Sequence, residues 1–322
     1  MLAHIVRRLL QGLVVMLAVG LVSFSLISFV GDPVASLLGL DTPQEAREEL
    51  KEELGLNDPF VVRYGAFLLR AAQGDLGLSY TSSRPVVEVI AERLPATIEL
   101  TVVSAVLAIV LAIPMGVYTA LHRETWGARL LLTASLVGVS LPTFVIGIML
   151  ILVFSVSLGW LPSFGRGELV RIGWWTTGLA SISGWKSILM PAASLALVQM
   201  TFTMRLVRAE MLEGLRTDYI RFARARGLTN RAVHFRHALK NTLVPVVTVI
   251  GLQVGTLLAF AIVTETVFQW PGMGLLFIQS VSTVDVPVMT AFLMVVGLIF
   301  VVVNLAVDLL YLAIDPRLHV TQ

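Results

Sequence analysis

Six apolar stretches of bilayer-spanning length run at roughly 9–30, 97–121, 130–158, 187–207, 244–268 and 288–312. An α-helix rises about 1.5 Å per residue and the hydrocarbon layer is about 30 Å thick, so about 20 apolar residues cross it. In hydrocarbon each span must satisfy its own backbone groups, which selects helices here. Composition agrees: 57% of the 322 residues are hydrophobic, 14% are charged and mean hydropathy is +0.87, which excludes a soluble domain of this size. The expected fold is an all-α integral membrane protein with six transmembrane helices. The first run follows Arg7 and Arg8 but is long enough to span the hydrocarbon, so it reads as a retained helix and not a removed signal.

Charge placement predicts orientation, because Lys and Arg stay on the cytoplasmic side during insertion. Arg7 and Arg8 precede the first span, Arg123 and Arg129 flank the second connection, and over 208–243 bases outnumber acids more than two to one. Residues 31–96 instead hold eleven acids and six bases. The chain is expected N-in and C-in. It divides into a first helix with an extracytoplasmic helical segment (1–96), a five-helix core carrying the loop 208–243 (97–312), and a tail (313–322). The 31–96 segment should contain helices. Thr42-Pro43-Gln44-Glu45 reads as a capping box with Gly55 as the stop, and a second start follows at Asp58-Pro59. From there Phe60, Tyr64, Phe67 and Ala71 share one face and Gly74 ends the helix, which lies on the membrane surface or on its neighbours. Trp160, Trp174, Trp175 and Trp185 suit the headgroup interface.

Several chemistries find no foothold. The chain has no cysteine, hence no thiol nucleophile, disulfide or Cys-bound metal. All five His residues fall in predicted cytoplasmic segments, and no Gly-Lys pair exists to make a phosphate loop. A net charge of +2 gives no nucleic-acid surface. An ion-coupled carrier needs midplane ionisable groups or an internal repeat, and neither is visible. An intramembrane protease would have Ser140 as nucleophile but no His in a span to activate it. Glu99, Glu265 and Arg205 lie near predicted span ends, within reach of interfacial water, and Asp308 sits beside Asn304. Gln199 and Gln253 lie deeper, where a polar pathway and an interhelical hydrogen bond explain them equally. Gly251 and Gly255 give a small-xxx-small face for tight helix packing, most simply against a sister subunit.

The loop between the fourth and fifth spans is the most informative segment. Thr217 and Asp218 cap a short helix, Tyr219, Phe222, Ala223 and Arg226 fall near one face, Gly227 suits a left-handed C-cap, and a second helix starts at Thr229 or Asn230. Small Ala223 and Ala225 permit close approach of another protein. The order of Ala, Gly and Pro from Tyr219 to Pro245 resembles the loop shared by ABC importer permeases, in which the short helix docks in a groove of the ATPase subunit. That resemblance implies ATPase-coupling roles for Asp218, Tyr219, Phe222, Ala223, Arg224, Ala225, Gly227 and Leu228. The competing account is a basic loop held at anionic headgroups.

The resemblance extends over almost the whole chain. Gly31-Asp32-Pro33, Leu56-Asn57-Asp58-Pro59, Gly74-Asp75-Leu76-Gly77-Leu78-Ser79 and Arg93-Leu94-Pro95-Ala96-Thr97 look like the first-permease subunit of dipeptide, oligopeptide and nickel importers. So do Glu265-Thr-Val-Phe268-Gln-Trp270-Pro271-Gly272-Met-Gly274 and Asp285-Val-Pro287; Val30 departs from the Pro often found before Gly-Asp-Pro. Pro271 with its flanking glycines is expected to turn sharply through positive φ. The resemblance implies that Glu265, Phe268, Trp270, Pro271, Gly272, Gly274 and Asp285 face the pathway mouth and a substrate-binding protein, the bland alternative being a turn that re-enters the bilayer. It further implies a bacterial inner membrane, a homologous second permease and two ATP-binding subunits carrying ATP and Mg, with no cofactor on this chain. Peptide is the favoured solute, with nickel or another small solute as the alternative.

Overall fold

The computed structural model describes residues 2–30, 43–45, 48 and 57–314. The helix expected over 42–55 lies mostly outside them, as does most of the tail, and Gly31-Asp32-Pro33 lies wholly outside. The described helices are α1 (Leu2–Val30), α2 (Phe60–Ala72), α3 (Val86–Leu121), α4 (Trp126–Ser140) and α5 (Thr143–Leu150). After a two-stranded hairpin, β1 (Val170–Ile172) and β2 (Trp175–Thr177), come α6 (Ile182–Gly214), α7 (Asp218–Ala225), α8 (Leu239–Val267), α9 (Met273–Ser282) and α10 (Val286–Ile314). Five of the described helices are long and apolar enough to cross a membrane, and six such spans result if a bent pair is taken as one. That pair is the stretch expected as a single helix over 130–158. It breaks at Leu141-Pro142, where α4 and α5 diverge by 110°. Pro142 has no N–H to donate back and disfavours helical geometry in the residue before it, so the α4 ladder stops there and α5 starts anew. α5 then runs on as a π-helical turn, Ile151–Ser157.

The chain falls into two compact units. One comprises 1–95, 171–176 and 271–302; the other comprises 96–170, 177–270 and 303–322. In the first, Phe60, Tyr64 and Phe67 of α2 gather round Phe24 of α1 at ring distances of 5.3, 5.8 and 5.5 Å, and the Tyr64 hydroxyl donates to the Leu17 carbonyl. The face expected for this helix is therefore the one it uses, and it lies on α1. Gly74, at φ +81°, closes α2 in a left-handed C-cap.

In the second unit α3, α6 and α8 pack together around two apolar clusters. Ala96 and Leu100 of α3, Ile188, Ala192 and Leu195 of α6, and Leu257 and Ala261 of α8 surround Trp270. Farther along, Val117 and Ala120 of α3, Val207 and Met211 of α6, and Val246 of α8 form the other. The 4-3-4 spacing of Ile188, Ala192, Leu195 and Gln199 sets one continuous buried stripe on α6. Gly251 lies against Val307, whose side chain a Cβ would overlap, so this half of the small-xxx-small face is filled by α10 of the same chain. The expected sister-subunit contact through Gly251 gives way to intrachain packing.

Candidate functional site

The loop after α6 folds as expected, into a helix-turn-helix. α7 spans Asp218–Ala225, and the next helix begins after Thr229, whose hydroxyl accepts the Ala232 N–H at 3.4 Å. Thr217 occupies the N-cap position, but its hydroxyl turns back to donate to the Gly214 carbonyl and caps nothing. The C-terminus of α7 is a Schellman closure: Gly227 N–H donates to the Arg224 carbonyl at 2.9 Å and Leu228 N–H to the Ala223 carbonyl at 3.3 Å. Gly227 sits at φ +79° with open space within the described chain where a side chain would be, so within this chain it is the backbone that requires it.

α7 is amphipathic in a way the sequence reading divided differently. Ile220 and Ala223 are buried with Val233 and Ala238 in the cluster that joins α3, α6 and α8. The opposite face is exposed: Asp218, Tyr219, Phe222, Arg224, Ala225 and Leu228 all face outward, Phe222 at 63% and with the Arg226 guanidinium 5.6 Å over its ring. The two alanines expected to act alike are therefore separated. Ala223 is small because it packs into its own chain, and Ala225 alone of the pair is free to meet another protein.

A second constellation joins two sequence-distant motifs. The Glu265 carboxylate accepts the Thr97 hydroxyl at 2.6 Å, and the Trp270 indole N–H donates to the Ala96 carbonyl at 2.9 Å. Arg-Leu-Pro-Ala-Thr thus meets Glu-Thr-Val-Phe-Gln-Trp. Beside them Arg166 Nη2 pairs with Glu99 Oε2 at 2.5 Å, both side chains about 95% buried. The Gly178 N–H also donates to Glu99, and the guanidinium lies 5.9 Å over the Trp270 ring. Glu99 and Glu265 do not reach interfacial water; each is enclosed with a partner, since a buried carboxylate needs one. Sequence alone does not single out Arg166, although Gly165-Arg166-Gly167 and the in-span acid Glu99 are both visible in it.

The turn itself differs from expectation. Positive φ falls on Gln269, at +45°, where Trp270 N–H bonds the Glu265 carbonyl and closes α8. Gly272 is extended, with φ −99° and ψ −173°, and starts α9, while Gly274 lies in that helix's first turn. Glu265, Phe268, Trp270, Gly272 and Gly274 are buried and Pro271 is half-buried, so these side chains do not themselves present a surface to another protein.

Asp285, also expected at the surface, is buried in the first unit. Its carboxylate accepts the Ser79 hydroxyl at 2.5 Å and the Tyr80 and Thr81 N–H groups at 3.1 and 3.2 Å. Burial, and secondarily this carboxylate, push the Tyr80 phenol above its ordinary value. Val284 before it holds φ +55°, a strained value for a β-branched residue. The end of Gly-Asp-Leu-Gly-Leu-Ser is thereby tied to Asp-Val-Pro. Asp285→Ala should cost about 2–3 kcal/mol, from lost charge-assisted bonds and two stranded N–H groups. Hydrogen exchange reads this as faster exchange at Tyr80 and Thr81; unchanged protection there would show that the carboxylate does not hold the loop.

Residues 112–320 match the family model for the binding-protein-dependent transport system inner membrane component, and residues 1–101 match the model for the N-terminal part of such membrane components. The chain belongs to this family. As a permease it is the membrane component of an ABC importer and not itself an enzyme, ATP hydrolysis residing on separate subunits. The permease is 42% identical over 331 residues to the dipeptide transport system permease protein DppB of Alkalihalophilus pseudofirmus, covering 99% of each chain. It is 36% identical over 320 residues to the glutathione transport system permease protein GsiC of Escherichia coli, again covering 99% of each. In fold it is similar to a chain of the MetNI methionine ABC transporter, with a TM-score of 0.53 at 20% identity, over 68% of the permease and 93% of that chain.

Proposed function

We propose that this permease imports short peptides, pairing with a homologous permease to enclose the pathway and docking ATP-binding subunits through α7. Both termini then lie in the cytoplasm, where the basic residues of 208–243 are retained. The peptide reading is supported by the dipeptide, glutathione and peptide permeases among its relatives. The observation that carries the coupling role is the two-faced α7: Ile220 and Ala223 fasten it to the cluster joining three long helices, while Tyr219, Phe222 and Ala225 stand exposed. A push on the exposed face is transmitted because packed cores are stiff. ATP and Mg remain on the partner subunits, and solute arrives from an extracytoplasmic binding protein. Glu265, Trp270 and Asp285 serve that encounter by holding the loops around them, leaving exposed neighbours such as Gln269 to make contact. Gly255, which is half-buried, is the part of the small-xxx-small face that packs against the second permease in this reading.

The absence of cysteine makes the test clean. Phe222→Cys in the assembled transporter should cross-link to an ATP-binding subunit with a short thiol-reactive linker, whereas Ala223→Cys, at 6% exposure, should not. Absence of a cross-link from position 222 would remove α7 as the docking element.

A further inference from the structure

The second unit contains a cavity of about 260 Å³ between α5, α6 and α8. Its walls are largely apolar, including Leu195, Phe202 and Phe260, but Thr143, Gln199 and Gln253 also line it. Gln199 is 4% exposed, and its Nε2 has no hydrogen-bond partner; Gln253 Oε1 is likewise buried and unpartnered. The interhelical hydrogen bond that would have explained both amides is therefore not made. Each amide stands near the middle of its long helix, where water is scarce and an unmet polar group is costly. Native interiors leave few such groups, and a donor and an acceptor left open in one cavity can together engage a group that offers the complementary pair.

We propose that Gln199 and Gln253 form a subsite that reads the backbone of a peptide in transit, Gln199 donating to a peptide carbonyl and Gln253 accepting a peptide N–H. This rests on the peptide-import reading and names what recognises the substrate within the permease. Among the described residues that line it the cavity has no acid, base or imidazole, so it suits the uncharged amide link and not a peptide terminus. The same lining disfavours a nickel ion, which takes imidazole, thiolate or carboxylate donors. Apolar walls without a shaped polar pocket accept varied side chains, as an importer of mixed peptides requires.

The test uses the complete transporter in vesicles with its binding protein and ATP, comparing a tripeptide with the depsipeptide in which an ester replaces one amide and so lacks that N–H. The wild type should carry the amide about tenfold faster than the ester, and Gln253→Leu should slow the amide toward the ester rate and erase most of that preference. The binding protein is the same in both, so a changed ratio belongs to the permease. Gln199→Leu should slow both substrates, because both retain a carbonyl to accept from it, while leaving a preference for the amide. Peptide uptake by the wild type with an amide-to-ester ratio unchanged in Gln253→Leu would overturn the subsite while leaving peptide import standing. No peptide uptake by the wild type would overturn both.

Discussion

Arg166→Met is expected to destabilise the assembled permease by about 3–5 kcal/mol, because it strands the Glu99 carboxylate in a buried site. Glu99 accepts from Arg166 and from the Gly178 N–H, and both charged side chains are about 95% buried. The loss should appear as a lowered midpoint of thermal unfolding for the purified complex. Arg166→Met with Glu99→Leu removes both charges together and should recover most of the loss, since a buried pair often gains little over apolar residues of similar size. The guanidinium also lies over Trp270, so the single variant loosens the ring that anchors the cluster of Ala96, Leu100 and Ala261. A single variant as stable as the parent would remove the ion pair as an anchor of this cluster.

That ion pair marks the boundary of what the sequence made legible. Local chemistry was readable wherever one segment contained its own cause. The α2 face of Phe60, Tyr64 and Phe67, the left-handed stop at Gly227 and the helix start after Thr229 all follow from spacing and caps within a few residues. The break at Pro142 was equally local, but an unbroken apolar run of spanning length outweighed a single proline. Contacts distant in sequence were not readable. Nothing near Glu265 announces Thr97, and nothing near Asp285 announces Ser79, although the motifs containing all four were recognised separately. Solvent exposure was misjudged for a related reason. A charged residue near the end of a span has two physical solutions, reaching water or finding a buried partner, and periodicity alone does not choose between them. The opposite error placed Ala223 and Ala225 together, because both are small and only the fold reveals that one of them faces the core.

Gly227→Val should abolish most ATP-driven uptake while leaving the permease in the membrane. Among the described residues, none beyond its chain neighbours comes within 4 Å of the position a Cβ would take, so collision within this chain is not the cause. The cause is φ +79°, a left-handed value that costs a residue with a Cβ roughly 1–2 kcal/mol, more when it is β-branched. That cost is roughly a 5- to 30-fold loss in the population of the native turn. The turn sets the direction in which the chain leaves α7, through Leu228 N–H on the Ala223 carbonyl, so its loss misaims the exposed face of Tyr219, Phe222 and Ala225. The six-to-one bond also fixes the end of the helix whose Ile220 and Ala223 enter the core. The series Gly227→Asn, Gly227→Ala and Gly227→Val separates this account from a contact account, because Asn is larger than Ala yet visits left-handed geometry more readily. Uptake by the complete transporter should fall in the order Asn, Ala, Val, with the amount of assembled complex unchanged. A loss that instead followed side-chain volume, with Asn worse than Ala, would mean that Gly227 is pressed against the ATP-binding subunit and that its role is to admit a partner.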